Sequence, residues 1–270
     1  MAKLKTIENG NGFITIPGLN VGFDGTERWR FETVLTDLLP HLSRSKVVLA
    51  GGIALRHHLI TRGVPYPDVQ FRDLDLLIED PSNIIMSSTD SQDKGFIFSH
   101  FHPQKNKKII AEFFIKMIHT LTGTKIDLFS YSPLSPSNFQ IVSFQGKAVK
   151  IPTPESLLIV TLLDTLKALD AFKKAPRKRL ISIDLLCGIV DFTHAQQEWQ
   201  KQHSDGTSLL DAIAKIQRLS LTNPEIFVDK VFGKKPIADC SECVHTPEFP
   251  IASRDSTRNI LGVGLSKVVT

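Results

Sequence analysis

Asp73 and Asp75 are the residues whose types and spacing first point to chemistry. They lie in Phe71-Arg72-Asp73-Leu74-Asp75-Leu76-Leu77-Ile78, a run that reads as a strand. Side chains alternate faces along a strand, so the two carboxylates share one face while Leu74, Leu76 and Ile78 take the other. At a rise of ~3.3 Å per residue the acids stand about 7 Å apart along the strand, close enough to grip one divalent cation. Lys125-Ile126-Asp127-Leu128-Phe129 reads as another strand, with Asp127 on the face away from Ile126 and Leu128. If the two strands are neighbours, Asp127 completes a three-carboxylate cluster. Such a cluster can hold two Mg2+ ions, one activating an attacking hydroxyl and one bound to a triphosphate.

The elements that must position these acids begin at Lys46. Val47-Val48-Leu49-Ala50 is an apolar strand, Gly51-Gly52 a turn, and a short helix follows. A glycine pair lets the backbone approach something bulky, and the helix behind it offers unpaired N–H groups to an anion. A phosphate cradle together with metal-binding carboxylates is the apparatus of nucleotidyl transfer. Asp-Leu-Asp alone is a common tripeptide. The reading rests on the order glycine pair, Asp-x-Asp strand, then apolar-Asp-apolar strand.

Those segments, "LAGGIALRHHL" and "FRDLDLLIED", resemble the AbiEii-like group of the nucleotidyltransferase superfamily. That group includes abortive-infection proteins and toxins of toxin–antitoxin pairs, and its pattern runs Gly-Gly-Thr-Ala-Leu and later Arg-x-x-Asp-Leu-Asp. The resemblance spans about residues 47 to 192. It implies Asp73, Asp75 and Asp127 as catalytic residues and ligands of two Mg2+ ions, with Gly51, Gly52, Arg72 and Lys167 contacting the nucleoside triphosphate. Two departures stand out. Ile53 occupies a place where the group often has Thr or Ser, so a hydroxyl that would contact phosphate is missing. The spacer from Gly52 to Asp73 is long, and its "RGVPYPDVQF" segment is a candidate substrate loop.

The composition suits this frame. A 270-residue chain, 41% hydrophobic, with a mean hydropathy of −0.01, is that of an ordinary globular protein. No apolar run approaches the ~18 residues of a membrane span, the best being Leu157 to Leu163. No apolar stretch follows Lys3 and Lys5 to make a secretory signal, and three cysteines do not form a disulfide framework. The expected location is cytoplasmic.

Net charge is +4 and the pI about 8.9, a mild surplus that permits contact with nucleic acid. It gathers at Lys105, Lys107 and Lys108, and at Lys173, Lys174, Arg177, Lys178 and Arg179. The second cluster is either an RNA contact or a solvated face.

Periodicity and turn residues suggest the following elements. Phe13 to Ile16 reads as an edge strand, and Thr26 as the N-cap of a helix to about Leu42 that turns Trp29, Val34, Leu35, Leu38 and Leu42 inward. A helix from Ile53 to about Thr61 carries His57 and His58. Strands are expected at Phe96 to Phe98, at Ile110 to Met117 (strand or short helix), and in a hairpin around Gln145-Gly146. Pro152-Thr153-Pro154 divides a catalytic domain, 1–151, from a helical domain, 152–233, and a polar tail, 234–270. The helical part reads as Pro154 to Phe172, Arg179 to Phe192, a helix capped by Thr193, Ser208 to Leu219, and Pro224 to Phe232. Within the resemblance, Lys167, Arg177 to Arg179 and Asp184 fill places of the helical lobe. Cys240, Cys243 and His245 invite a zinc site, against a reduced tail as the plainer alternative.

The fold class expected is α/β, a small mixed-sheet core with a C-terminal helical lobe. The activity expected is Mg2+-dependent transfer of a nucleotidyl group, ATP being one donor, to an acceptor such as tRNA, with an antitoxin as a partner. Two alternatives remain open: transfer to a small molecule or protein hydroxyl, and a catalytically silent binding protein.

Overall fold

The computed structural model describes residues 7–8, 13–14, 17–42, 47–66, 71–78, 95–102, 114–130, 136–203 and 206–229. In chain order the elements are β1 (Ile7–Glu8), β2 (Phe13–Ile14), α1 (Gly25–Leu38), β3 (Val47–Leu49), α2 (Gly51–Thr61), β4 (Asp73–Ile78), β5 (Phe96–His102), β6 (Phe114–His119), β7 (Lys125–Ser130), β8 (Phe139–Phe144), β9 (Lys147–Pro152), α3 (Pro154–Phe172), β10 (Ala175–Pro176), α4 (Arg177–Cys187), α5 (Phe192–Gln202), α6 (Leu209–Thr222) and β11 (Phe227–Val228). The class is α/β, with strands in mixed sense and a helical C-terminal part. By packing, the described residues form two compact units, one from within 23–47 and 67–135, the other from within 1–22, 48–66 and 136–229. These units interleave along the chain, whereas the division at residue 151 follows chain order.

The first unit is built on four strands in the order β5-β6-β7-β4. β4 and β7 run parallel, and β6 is antiparallel to both β5 and β7. One face is apolar and shut from solvent, with Leu74, Leu76, Ile78, Ile126, Leu128, Ile115 and Met117 all fully buried. From α1 come Phe31, Val34, Leu35 and Leu38. The rings of Phe23, Phe31 and Phe71 meet at 5.3 to 5.6 Å, and the Glu27 carboxylate accepts a hydrogen bond from the Phe71 N–H. The first turn of α1 thus fixes the backbone two residues ahead of Asp73. At the far end of β6, buried His119 bonds Asp37 Oδ2 at 3.1 Å and Thr122 Oγ1 at 2.8 Å.

The second unit pairs β3 with β9 in parallel and closes β8 on β9 as a hairpin. Gln145 and Gly146 take φ of 48° and 78°, the left-handed pair that a two-residue hairpin turn requires. Around this lies the helical lobe. Thr153 caps α3 by accepting from the Ser156 N–H, Pro154 stands in its first turn, and Lys173 ends it at φ 55°. Glu198 is buried yet satisfied, accepting from Ser137, Asn138 and Ser156. Trp199 is fully buried, donates to the Thr207 carbonyl at 2.7 Å and stacks on His203.

Several expected element limits are corrected. α1 starts after Asp24 rather than at a Thr26 cap, and stops at Leu38 because Pro40 removes a helical donor, leaving a 3-10 turn at Leu39–Leu42. Trp29 is 41% exposed, on the outer side of α1. α2 starts at Gly51, not Ile53. Asp191, not Thr193, caps α5, so α4 ends at Cys187 rather than near Phe192. Pro224 opens only a 3-10 turn to Ile226 before β11. Of the expected segment Ile110 to Met117, the residues from Phe114 on lie in strand β6, and 110–113 lie outside the described residues. His57 and His58 are both buried. The expected features at Thr15 and Ile16, Glu79 to Lys94, Lys105 to Lys108, Tyr131 to Ser135, and everything from residue 230 on, including Cys240, Cys243 and His245, lie outside the described residues. No helix among the described residues is long and apolar enough to cross a membrane.

Candidate functional site

β4 and β7 are neighbours, and their register sets Asp75 directly beside Asp127, with Asp73 beside Lys125. Residues opposite one another on paired strands point to the same face. Asp73, Asp75 and Asp127 therefore share the face that Leu74, Ile126 and Leu128 avoid. The antiparallel partner β6 then sets Lys116 beside Asp127, and β5 sets His100 beside Lys116. The result is one row across four strands: Asp75, Asp127, Lys116, His100.

His100 joins that row through a β-bulge. Phe98 pairs with Met117 and His100 with Lys116, so Ser99 is the extra residue in β5. Its hydroxyl donates to the Lys116 carbonyl at 3.2 Å.

Asp73 is exposed, Asp75 is half-buried, and the Asp127 side chain keeps 17% of its surface. Burial raises the Asp127 carboxyl above its usual range, with Lys116 opposing that shift and Asp73 adding to it. Lys116 Nζ lies 3.2 Å from Asp127 Oδ1, an ion-pair distance, but no donor is aligned on that buried oxygen.

Carboxylates are the hard oxygen donors that Mg2+ takes, and Mg2+ commonly uses one or two of them alongside substrate phosphates and water. Asp73 and Asp75 fit that need. A three-ligand cluster fits less well. Among the described residues, no three His, Cys, Asp or Glu side chains gather closely enough to hold an ion, and Asp127 faces Lys116.

In the other unit, the Gly51-Gly52 turn opens α2. Ala50 precedes it with no side-chain cap, so the first N–H groups of the helix have no side-chain partner there. Gly51 sits at φ 58°, where a side chain is strained. Gly52 differs. It is exposed, its φ is not in that region, and a Cβ there would meet nothing within 4 Å. The space over Gly52 is open to a ligand rather than filled by the fold. Ile53, by contrast, is buried at 4% exposure and turns its side chain into the core.

Behind the turn, α2 is held by its own polar residues. Arg56 donates to the Val21 carbonyl and lies 4.9 Å over the Tyr66 ring. His57 Nδ1 accepts from the Asn20 N–H at 2.9 Å. His58 Nε2 contacts the Pro152 carbonyl at 2.7 Å, and burial pushes its pKa down to about 4.

Arg72 is exposed next to Asp73, and Lys167 is exposed on α3. Of the basic cluster, Arg179 donates to the Asp164 carbonyl at 2.9 Å and to its carboxylate at 3.2 Å. Arg177 donates to the Phe227 carbonyl and approaches Asp229 at 3.8 Å. Lys173, Lys174 and Lys178 are exposed. Lys116 and His100 were not among the residues singled out by sequence. Only strand pairing reveals them, although the alternation of Ile115-Lys116-Met117 held a partial signal.

No family model matches the chain, and no curated protein does. Solved structures with similar features include an antigenic nucleotidyltransferase-like protein from Paracoccidioides brasiliensis, 15% identical, with a TM-score of 0.42 over 77% of this chain and 96% of that one. JHP933 from Helicobacter pylori is 12% identical, with a TM-score of 0.38 over 92% of this chain and 93% of that one. At this level of superposition, nothing about activity follows from either.

Proposed function

We propose that this protein is a Mg2+-dependent nucleotidyltransferase, moving a nucleotidyl group from a nucleoside triphosphate such as ATP to an acceptor hydroxyl. The observation that carries this is the register of β4 and β7, which sets Asp75 beside Asp127 with Asp73 on the same face. Asp73 and Asp75 hold Mg2+, which when bound neutralises triphosphate charge. Asp127, buried and raised toward proton uptake, receives the proton of the acceptor hydroxyl. Gly51 and Gly52 receive phosphate oxygens through backbone N–H groups, and Arg72 and Lys167 supply positive charge to the nucleotide. Positioning and charge neutralisation carry the rate, with no covalent intermediate on the protein.

For the acceptor we propose RNA, tRNA foremost, reached through Lys173, Lys174 and Lys178, with Arg177 and Arg179 at their side. A toxin paired with an antitoxin is the biological setting that the AbiEii-like motifs imply. One observation favours a second reading. Both arginines of the cluster already bond carbonyls of the protein, which weakens the basic patch and favours a small-molecule or protein hydroxyl.

Incubation with each α-labelled triphosphate, Mg2+, and either total tRNA or cell lysate tests both. Label in tRNA supports the first reading, and label only in small molecules or protein supports the second. No label from any triphosphate overturns nucleotidyl transfer itself.

A further inference from the structure

The acid row carries its own cation. Lys116 stands beside Asp127 in the same register in which Asp127 stands beside Asp75, so the row alternates acid, acid, base across adjacent strands. Its Nζ lies 3.2 Å from Asp127 Oδ1, and the two side chains are 23% and 17% exposed. A partly buried carboxylate stripped of the ammonium at ion-pair distance is costly, because charge out of water must be compensated. A two-ion site needs ions about 3.5–4 Å apart, bridged by a shared carboxylate. Here the side of Asp127 away from Asp75 is taken by the Lys116 ammonium, which leaves less of that carboxylate free to hold a second cation.

We propose that Lys116 is a resident cation of the site and fills the place of one metal ion, so that a single divalent cation binds, at Asp73 and Asp75. This rests on the nucleotidyl-transfer reading and deepens it. Lys116 acts as a positioning residue through Asp127, holding its carboxylate on the row, rather than touching the transferred group.

The test uses Mn2+ with the full chain and the α,β-methylene analogue of whichever triphosphate gives label. Electron paramagnetic resonance reports both the number of ions retained and whether two lie close enough for spin coupling. The wild type should retain one uncoupled Mn2+. Lys116→Met should admit a second ion with a coupled signal, and Lys116→Arg, which keeps the charge, should return to one. A coupled pair in the wild type overturns the proposal, as does a single uncoupled ion in a folded Lys116→Met variant. If Lys116→Met does not fold, Lys116→Gln takes its place and is read the same way: a coupled second ion supports the role of Lys116, and a single uncoupled ion overturns it. No Mn2+ retained by the wild type above an Asp73→Asn, Asp75→Asn control fails the nucleotidyl-transfer reading itself, a result distinct from a coupled pair.

Discussion

The two units treat charge in opposite ways. Across β4, β7 and β6, strand register collects three carboxylates on one face, with Lys125 opposite Asp73 and Lys116 opposite Asp127. Around α2 and the helical lobe, the notable polar side chains are engaged in holding backbone or one another. Arg56, His58, Arg177 and Arg179 contact carbonyls, His57 accepts from an amide, and Glu198 gathers three donors. A run of charge in sequence is therefore a weaker sign of a site than a short alternating pattern. Alternation concentrates like charges once strands pair, whereas a helical run spreads around its axis and finds partners.

Substitutions should separate the two kinds of polar residue. The largest effect belongs to the acid face. Asp75→Asn should reduce transfer by at least about 10³-fold, since losing a metal ligand removes several kcal/mol of charge neutralisation. Its melting temperature should stay within a few degrees of wild type, because no core volume is lost. Labelling at saturating Mg2+ checks this, and wild-type activity would remove Asp75 from the metal site.

His58 should show the reverse pattern. Its folded pKa of about 4 lies below the ordinary histidine value of 6.5, so the folded state resists protonation. Stability from this group is fully present above pH 6.5 and lost as pH falls toward 4, by ~3 kcal/mol in total. His58→Gln, which keeps a donor for the Pro152 carbonyl, should flatten that acid loss. Urea unfolding at pH 7, 5.5 and 4 measures it, and parallel curves for the two proteins would place the acid sensitivity elsewhere.

Next comes Arg179 against Lys178. Arg179→Ala should destabilise by about 1 kcal/mol, since it breaks two bonds to Asp164 in a partly exposed setting. Lys178→Ala, one position away and exposed, should cost nothing measurable by thermal unfolding. Equal losses would mean the Asp164 contact contributes little.

The glycine turn straddles the comparison. Gly52→Ala should leave stability within about 1 kcal/mol of wild type, because a Cβ there meets nothing. It should nonetheless shrink the melting shift that Mg2+ and triphosphate produce, if the phosphates approach that backbone. An undiminished shift would put the phosphates elsewhere.

Smallest is the salt effect. Reversing Lys173, Lys174 and Lys178 to Glu should flatten the dependence of tRNA affinity on salt by at most about three phosphate contacts, with triphosphate binding unchanged. An unaltered slope would make them a solvated face.

Much of the acid face was legible in sequence because Asp-Leu-Asp-Leu and Lys-Ile-Asp-Leu each carry the strand period, and an apolar face dictates where the acids go. Which strands would pair was not legible, and so Lys116 and His100 stayed hidden. The helical limits failed for local reasons, such as Pro40 cutting α1 short and Asp191 offering a better cap than Thr193. The bonds of Arg179 were not legible because its partner, Asp164, lies on another helix fifteen residues back, at a separation that no local pattern reports.

Ser99 carries a consequence for how this strand tolerates change. A two-beat pattern behaves like a reading frame: one inserted residue should swap every later side chain between the wet and dry sides. In Phe96-Ile97-Phe98-Ser99-His100-Phe101 the insertion is already present and already cancelled, since Phe98 and Phe101 both face inward although three positions apart. Removing Ser99 should therefore leave the frame in phase, giving a shorter, straighter strand with the same sides. Removing His100 would also restore the alternation, but with Ser99 opposite Lys116, whereas removing a residue outside this pair would add a second departure to the frame.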